Sequence, residues 1–328
     1  MPLLAQLRWW FAAAILLLNA CTINPPLSIA DVVGYPDLVY VPDVPFYPQE
    51  AYQCGPAALA GVLGATGVEI APADLTPQVY LPERSGSLQL ELLAASRRAG
   101  RIPFVTGDSV ETLFSQLRSG WPVLVLQNLQ TRGVPLWHYA VVVGYDGFAN
   151  VVILNSGSQR ELSMSAPSFL RTWEWAGRWG MVVLPPGEIP EDMTATDYLQ
   201  AVAAFQDVAG GQASIPAWEA ARQRWPNDAR PYLALGNLAY DGGDYESAVA
   251  NFRRGLHLSP DNPGLSNNLA SVLAEIGCPV SAMAVLRPVH AALEEGSRWQ
   301  PVIEATLSEL SAEASADESS CSSAIPQL

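Results

Sequence analysis

The sequence contains no lysine, so all 17 of its Lys-plus-Arg residues are arginine. Lysine binds the phosphates in P-loop enzymes, forms the Schiff base of many carbonyl-transforming enzymes and can act as the base of a serine nucleophile. The absence of lysine therefore excludes all three kinds of site from this chain.

Histidine is also scarce, with only His138, His257 and His290 in the whole chain. A three-histidine metal site would have to recruit all of them from distant segments. We therefore predict no metal site. Nothing in the sequence calls for a nucleotide or another cofactor, and none is predicted.

Positive charge is in short supply, since 32 acidic residues face 17 basic ones and give a net charge of −15. Such a chain repels the phosphates of nucleic acids, which excludes nucleic acid as an expected partner. The length of 328 residues and the hydrophobic fraction of 49% are sufficient for two domains.

The N-terminus carries a short apolar run over residues 11–18, preceded by Arg8. This run is too short for a comfortable membrane span but typical of a secretory signal. It ends in Leu-Asn-Ala-Cys21, which resembles the lipobox of bacterial lipoproteins. The alternatives are an ordinary signal peptide or an N-terminal anchor helix, with Cys21 incidental.

The lipobox resemblance implies that residues 1–20 are a signal peptide and that lipidated Cys21 becomes the mature N-terminus. The proline-containing segment 21–39 is then expected to be a tether. Thr22 follows the cysteine where aspartate would retain a lipoprotein on the inner membrane. The expected location is therefore the periplasmic face of the outer membrane, where the source has one.

The four cysteines divide by context. Cys21 is the candidate for lipidation and Cys54 is the candidate for chemistry. Cys278 and Cys321 could pair in an oxidising compartment, but Cys321 lies in the polar, acidic stretch 311–328, which is predicted to be a disordered tail. The sequence leaves this pairing open.

Cys54, Gly55 and Pro56 open a run rich in alanine and leucine. Proline is well tolerated in the first turn of a helix, so a helix is predicted to begin at or just after Cys54. The exposed N–H groups and the dipole at such a helix start stabilise a thiolate and lower the pKa of a thiol. This is the environment that a cysteine nucleophile needs.

Two further segments predict an antiparallel hairpin that follows a buried strand over 121–127. One strand begins at His138 and ends near Asp146, and the next covers 151–154 and leads to Asn155. Asp146 and Gly147 form a common turn signal between them. The hairpin is expected to bring His138 and Asn155 to matching ends, where the amide could orient the imidazole.

A glutamine before Cys-Gly-Pro-Ala at a helix start, and a strand that begins His-Tyr-Ala-Val-Val-Val-Gly-Tyr, resemble the bacteriocin-processing cysteine peptidases. Those papain-like domains cleave leader peptides after a double glycine. The resemblance implies an α+β papain-like cysteine peptidase domain over residues 40–188. It places the nucleophile on Cys54 and the general base on His138.

The same resemblance implies the remaining site residues. The family's oxyanion-hole glutamine falls on Gln49, with Gln53 as the less suitable stand-in. Its third catalytic residue is usually aspartate, and that position reads Asn155 here. Papain-like enzymes commonly use asparagine, which orients the imidazole without adding charge.

The C-terminal part shows helical periodicity after a proline-rich boundary at residues 185–190. The middle of this region has the spacing of a tetratricopeptide repeat, with degenerate copies 34 residues to either side. The residues that carry it are Tyr232, Leu235, Gly236, Ala239, Ala248, Phe252 and Pro260. An all-α repeat domain is therefore predicted over 193–310, with a groove for a peptide or protein partner or, alternatively, a scaffold packed on the peptidase.

These observations predict an envelope-anchored cysteine peptidase that acts on a peptide or protein substrate. The repeats are expected to recruit either the substrate or a partner protein. Two alternatives remain at this stage. The same thiol and imidazole could serve an amide hydrolase or acyltransferase on a cell-wall peptide. A non-catalytic peptidase fold could act as a binding module.

Overall fold

The computed structural model describes residues 28–34, 37–48, 53–84, 86–313 and Cys321. The predicted signal peptide, the lipidation candidate Cys21 and the oxyanion candidate Gln49 lie outside the described residues. Most of the predicted tail, residues 314–320 and 322–328, lies outside them as well.

The N-terminal part is built on one antiparallel sheet, with seven strands in the described portion of the chain. Six of them follow the order β4-β9-β5-β6-β7-β8, and β1 pairs with the far end of β6. The strands are β1 (Leu38–Tyr40), β4 (Ile102–Val105), β5 (Val123–Asn128), β6 (Trp137–Asp146), β7 (Val151–Ser156), β8 (Gln159–Ser165) and β9 (Gly180–Leu184). A separate small hairpin joins β2 (Tyr80–Leu81) to β3 (Gly86–Ser87).

Helices cover this sheet and confirm the predicted mixed α and β class. The helices are α1 (Ile29–Val33), α2 (Cys54–Gly64), α3 (Pro72–Val79), α4 (Gln89–Arg98), α5 (Val110–Arg118) and α6 (Ala166–Glu174).

Helix α2 is the central helix of this part, with every residue from 55 to 63 buried. It is apolar on all sides, which is typical of a helix surrounded by protein. A Cβ at Gly61 would lie 3.0 Å from the Pro45 carbonyl oxygen, and one at Gly64 would lie 2.6 Å from Cγ of Pro45. These glycines thus let the segment around Pro45 lie close against α2.

The predicted hairpin is confirmed as β6 and β7, joined at the Asp146 turn. The Asp146 carboxylate accepts hydrogen bonds from the backbone N–H groups of Phe148 and Ala149, at 2.8 and 2.9 Å. A register shift lies between Val142 and Gly144 on β6. It coincides with the close approach of β1, where a Cβ at Gly144 would lie 2.4 Å from the Val39 carbonyl oxygen.

The segment predicted as a tether, residues 21–39, is corrected by the structure in its described C-terminal half. Ile29 at the start of α1 is fully buried in the core of the sheet part. Its backbone N–H donates a hydrogen bond to Asn150 at 3.0 Å. Residues 28–34 and 37–39 therefore pack on the peptidase-like part, because Ile29 of α1 is buried in its core and β1 pairs with β6.

The C-terminal part is a stack of helical hairpins, as the repeat spacing predicts. The first helices of three successive hairpins begin at Ala195, Ala229 and Pro263, so the repeat length is 34 residues. The helices are α7 (Ala195–Ala209), α8 (Gly211–Arg224), α9 (Ala229–Asp241), α10 (Tyr245–Leu258), α11 (Pro263–Glu275), α12 (Pro279–Ala292) and α13 (Gln300–Glu313).

The first hairpin packs directly on the sheet. Phe104 on β4 stacks on Tyr198 on α7, with ring centroids 5.3 Å apart. The hydrophobic core of the sheet part continues through α7 and α8 as far as Leu235 on α9, and a second core begins at Ala248. The core therefore crosses the predicted domain boundary at residues 188–193.

Cys278 and Cys321 form a disulfide, with Cα atoms 5.7 Å apart. This bond fixes one point of the predicted tail against the turn between α11 and α12. Within the described ranges, none of the helices combines the length and the apolar character that crossing a membrane requires.

Candidate active site

Cys54 is the first residue of α2, as the sequence predicts. Its thiol is half-buried and takes no part in a disulfide. At this position Cys54 lies beside the first-turn N–H groups of the helix, which have no partner within the helix itself. The residue before it, Gln53, is exposed, and its carbonyl oxygen accepts the first helical hydrogen bond from Ala57 at 3.1 Å.

The start of α2 lies tightly against β3 and β6. A Cβ at Gly55 would lie 2.3 Å from Oγ of Ser87 and 3.7 Å from the ring of Tyr139. The Tyr139 hydroxyl donates a hydrogen bond to the Ser87 carbonyl at 3.1 Å. Glycine is thus required beside Cys54, because a side chain there would collide with Ser87.

The Tyr139 hydroxyl lies near enough to Cys54 for charge on the cysteine to affect the pKa of the tyrosine. Burial raises the pKa of the Tyr139 hydroxyl well above its ordinary value, and the negative charge of a Cys54 thiolate raises it further. This phenol therefore stays protonated over the physiological range and remains a hydrogen-bond donor. Gly55 and Tyr139, the immediate chain neighbours of Cys54 and His138, lie close together, since a Cβ at Gly55 would be 3.7 Å from the Tyr139 ring.

His138 is the second residue of β6 and lies opposite Gln127 of β5. Its side chain is half-buried, and its Nε2 atom lies 2.9 Å from Oγ of Ser156 at the end of β7. Burial lowers the pKa of the imidazole below its ordinary value. His138 is therefore neutral near pH 7, the form in which an imidazole accepts a proton.

Asn155, the predicted orienting residue, makes a different contact. It is buried, and its Oδ1 atom accepts a hydrogen bond from the backbone N–H of Glu161 at 3.1 Å. Asn155 pairs with Val141 of β6, which is three residues from His138. Residues an odd number apart on a strand point to opposite faces of the sheet, so Asn155 and His138 lie on different faces. In this structure the partner of the His138 ring is Ser156 and not Asn155.

Sequence reasoning missed Ser156. The strand was expected to end at residue 154, with Asn155 already in the turn, but β7 continues through Ser156. Ser156 could have been identified by working out which residues across the hairpin share the face of the sheet that carries His138. That count needs the pairing register, which includes the shift between Val142 and Gly144.

The structure brings the chain segments of Cys54 and His138 together without joining their side chains directly. Successive side chains of β6 point to opposite faces of the sheet. The Tyr139 ring therefore lies toward α2, and the His138 imidazole lies toward Ser156 and Gln127. Among the described residues, no hydrogen bond links the Cys54 thiol to the imidazole. No group of three or more His, Cys, Asp and Glu side chains in the described segments is arranged to hold a metal ion.

The site thus offers a free thiol at a helix start, a protonated tyrosine beside it and a neutral imidazole on the neighbouring strand. A thiol and a neutral imidazole are the groups that nucleophilic acyl transfer by cysteine uses.

Comparison with known families finds a match for two segments of the chain. Residues 41–180 match the Peptidase_C39 like family, and residues 236–277 match a TPR repeat. The first match contains Cys54, His138 and Ser156. Comparison with curated proteins gives no match.

Solved structures with similar folds include three peptidases. A C39-like peptidase from Bacillus anthracis is 17% identical, with a TM-score of 0.41, over 45% of this chain and 98% of that one. The peptidase domain of Streptococcus ComA, a bifunctional ABC transporter of a quorum-sensing pathway, is 23% identical, with a TM-score of 0.37, over 44% and 99%. A double glycine motif protease from an AMS/PCAT transporter, in complex with the leader peptide, is 19% identical, with a TM-score of 0.35, over 45% and 99%.

The family match over 41–180 agrees with the antiparallel sheet, the buried helix that begins at Cys54 and the strand that carries His138. The repeat match agrees with the 34-residue spacing of the helical hairpins. The chain therefore combines a peptidase-like domain that matches the Peptidase_C39 like family with a helical region that contains a TPR repeat.

Proposed function

We propose that the protein is a cysteine peptidase in which Cys54 attacks a peptide carbonyl and His138 carries the proton. The observation that carries this proposal is the free, half-buried thiol at the first residue of α2, inside the segment that matches a peptidase family. A buried structural cysteine would need neither a helix N-terminus nor partial exposure.

The proposed reaction is acyl transfer in two steps. The Cys54 proton moves to Nδ1 of His138, and the thiolate adds to the carbonyl carbon. The tetrahedral intermediate then collapses, the C–N bond breaks, and the imidazolium protonates the leaving amine. Water hydrolyses the thioester in the second step, with the neutral imidazole taking a proton from it.

Stabilisation of the oxyanion is assigned to the Cys54 backbone N–H and to Gln49. Each such donor contributes about 10²–10³ in rate. Gln49 lies outside the described residues, so its part in the proposal rests on the motif alone. The lowered pKa of His138 supports the first step, because a neutral imidazole is ready to accept the thiol proton.

The proposal requires the thiol and the imidazole to come within hydrogen-bond reach when substrate is bound. Catalytic hydrogen bonds are often long or poorly aligned without substrate and tighten in the substrate complex. The packing of α2 against β6 keeps the two chain segments adjacent.

The test is labelling of the whole chain with an alkyne-bearing iodoacetamide, mapped by mass spectrometry, together with a peptide-library cleavage assay. Labelling is expected at Cys54, whereas Cys278 and Cys321 are protected by their disulfide. Cys54→Ala and His138→Ala should abolish cleavage with unchanged circular dichroism, and Ser158→Ala, on an exposed loop, is the matched control. Full cleavage by Cys54→Ala would overturn the proposal and leave the binding-module alternative.

The identity of the acceptor is decided by the products of the same assay. In ¹⁸O-labelled water, hydrolysis adds one heavy oxygen to the new carboxyl group. Transfer to an amine, as in the alternative acyltransferase on a cell-wall peptide, leaves a new amide with no heavy oxygen. We propose hydrolysis, because the segment that carries Cys54 matches a peptidase family.

We further propose that the repeats recruit the protein substrate or a partner. Their groove is lined by Asn237, Tyr240, Asn268 and Ser271, and Nδ2 of Asn268 donates to Oδ1 of Asn237 at 2.7 Å. Amides on a groove wall suit the polar backbone of an extended peptide. Asn237→Ala with Asn268→Ala should raise KM for a protein substrate and leave a short peptide's kinetics unchanged; equal effects on both would refute recruitment.

The location proposed for the chain is the cell envelope, through a lipid on Cys21. The supporting structural feature is the Cys278–Cys321 disulfide, since such bonds persist in oxidising compartments. Metabolic labelling with an alkyne-bearing palmitate should mark the membrane fraction of the wild type and not of Cys21→Ser. A labelled, membrane-bound Cys21→Ser would refute the assignment.

A further inference from the structure

We infer that Ser156 is the positioning residue of His138, holding the imidazole with its proton on Nε2 so that Nδ1 can accept the proton of Cys54. The inference deepens the proposed function and rests on it. It assigns the third position of the site to a residue that the sequence motif did not indicate.

The first support is the contact itself. The Nε2 atom of His138 lies 2.9 Å from Oγ of Ser156, the ordinary length of such a hydrogen bond. Within the described residues this is the hydrogen bond that the ring makes. Both residues are half-buried and lie in paired strands, so the two side chains are held by the sheet and not by a loop.

The second support is the commitment of Asn155 to another role. Its Oδ1 atom accepts from the Glu161 N–H, and Glu161 has a positive φ of 56°. A non-glycine residue in that region is strained and needs a local hydrogen bond to hold it. Turning the Asn155 amide toward His138 would remove this hydrogen bond from the Glu161 N–H.

Strand geometry explains why the next residue takes the position. Asn155 pairs with Val141, so Ser156 continues the pairing toward the start of β6, on the face that carries His138. The register of β7 with β8 also shifts between Leu154 and Ser156. This irregularity lets neighbouring residues point to functionally different places, as bulges near active sites often do.

The hydroxyl decides which tautomer can work. A serine hydroxyl both donates and accepts. When Nε2–H donates to Oγ of Ser156, the lone pair is on Nδ1 and can take the thiol proton. When the hydroxyl donates instead, Nδ1 carries the proton and the ring cannot act as the base.

A hydroxyl also differs from a carboxylate in charge. A carboxylate stabilises the imidazolium, whereas Ser156 offers only a neutral hydrogen bond. Burial lowers the pKa of His138 as well. The resting imidazole is therefore neutral, and replacing Ser156 with aspartate should raise the imidazole pKa and make Cys54 reactive at lower pH.

The test uses the full chain labelled with ¹⁵N-histidine and compares Ser156→Ala, Ser156→Thr and Ser156→Asp with Asn155→Ala. Nitrogen shifts assign the tautomer of His138, using His138→Gln to identify its signals. The wild type and Ser156→Thr should show the Nε2–H form, and Ser156→Ala should show a mixture of tautomers. Alkylation of Cys54 as a function of pH should shift to lower pH in Ser156→Asp.

Cleavage adds a kinetic readout. Ser156→Ala should lose about five- to tenfold in kcat, the loss expected for one neutral hydrogen bond, with recovery in Ser156→Thr. An unchanged tautomer in Ser156→Ala, or a change in Asn155→Ala alone, overturns the inference. The tautomer measurement needs no turnover, so failure of the proposed function, seen as cleavage by Cys54→Ala, is separate from failure of this assignment.

Discussion

The ring of Phe104, on the edge strand β4, stacks on the ring of Tyr198, on the first repeat helix, with centroids 5.3 Å apart and planes 10° apart. Both side chains are fully or almost fully buried. Because this contact lies in the core that spans the predicted boundary, the first repeat hairpin is part of the folding unit of the peptidase-like domain.

Replacing Tyr198 with alanine should therefore destabilise the peptidase-like domain as well as the repeats. Loss of a fully buried aromatic ring costs about 3–5 kcal/mol. Denaturant unfolding, followed by protease protection of the segment 41–180, measures the effect. Tyr240→Ala is the matched control, since Tyr240 is more than one-third exposed and should cost far less. Equal losses in the two variants would show that Tyr198 does not join the two parts.

A methyl group at Gly55 is expected to displace the start of α2. A Cβ there would lie 2.3 Å from Oγ and 2.6 Å from Cβ of Ser87. Overpacking of this kind costs about 1–3 kcal/mol, and it should also lower the rate of Cys54 alkylation. Thermal unfolding and alkylation kinetics measure both effects.

The matched comparison for Gly55→Ala is the double variant with Ser87→Gly, which removes both atoms that clash. Recovery of stability in the double variant, beyond the sum of the single effects, would locate the strain between these two residues. Additive losses would contradict the contact.

The depressed pKa of His138 predicts a pH-dependent contribution to stability. The unfolded chain takes up a proton near the ordinary value of 6.5, whereas the folded chain does so only at a lower pH. Stability from this group is therefore fully present above pH 6.5 and is lost as the pH falls through the folded pKa. Unfolding free energies measured from pH 8 down to pH 5 should show a fall that His138→Gln lacks. Parallel curves for the two proteins would refute the burial effect.

The disulfide should stabilise the last repeats. Cys278 and Cys321 are 43 residues apart. Closing a loop of that length lowers the conformational entropy of the unfolded chain, which stabilises the folded state by about 4 kcal/mol. Reductant should lower the unfolding midpoint of a chain in which Cys54 and Cys21 are replaced. A further variant with Cys278→Ser and Cys321→Ser should unfold at the same midpoint as the parent chain in reductant, and reductant should not change that midpoint. A shift of its midpoint by reductant would show that the effect does not come from this disulfide.

The sequence by itself determined the elements whose signals are local. Proline and glycine after Cys54 fixed the helix start, apolar runs around Asp146 and Gly147 predicted the β6–β7 hairpin, and the 34-residue spacing predicted the repeats. Each signal depends on neighbours within one turn, one hairpin or one repeat. No distant contact was needed to read them.

The tertiary structure alone decided which groups meet. Ser156 and not Asn155 contacts His138, because the choice depends on the pairing register of two strands and on a shift within it. The burial of Ile29, and the stacking of Tyr198 on the sheet, likewise depend on residues far away in the chain. A one-residue change of register moves a side chain to the opposite face of a sheet, so no local pattern could have made that choice.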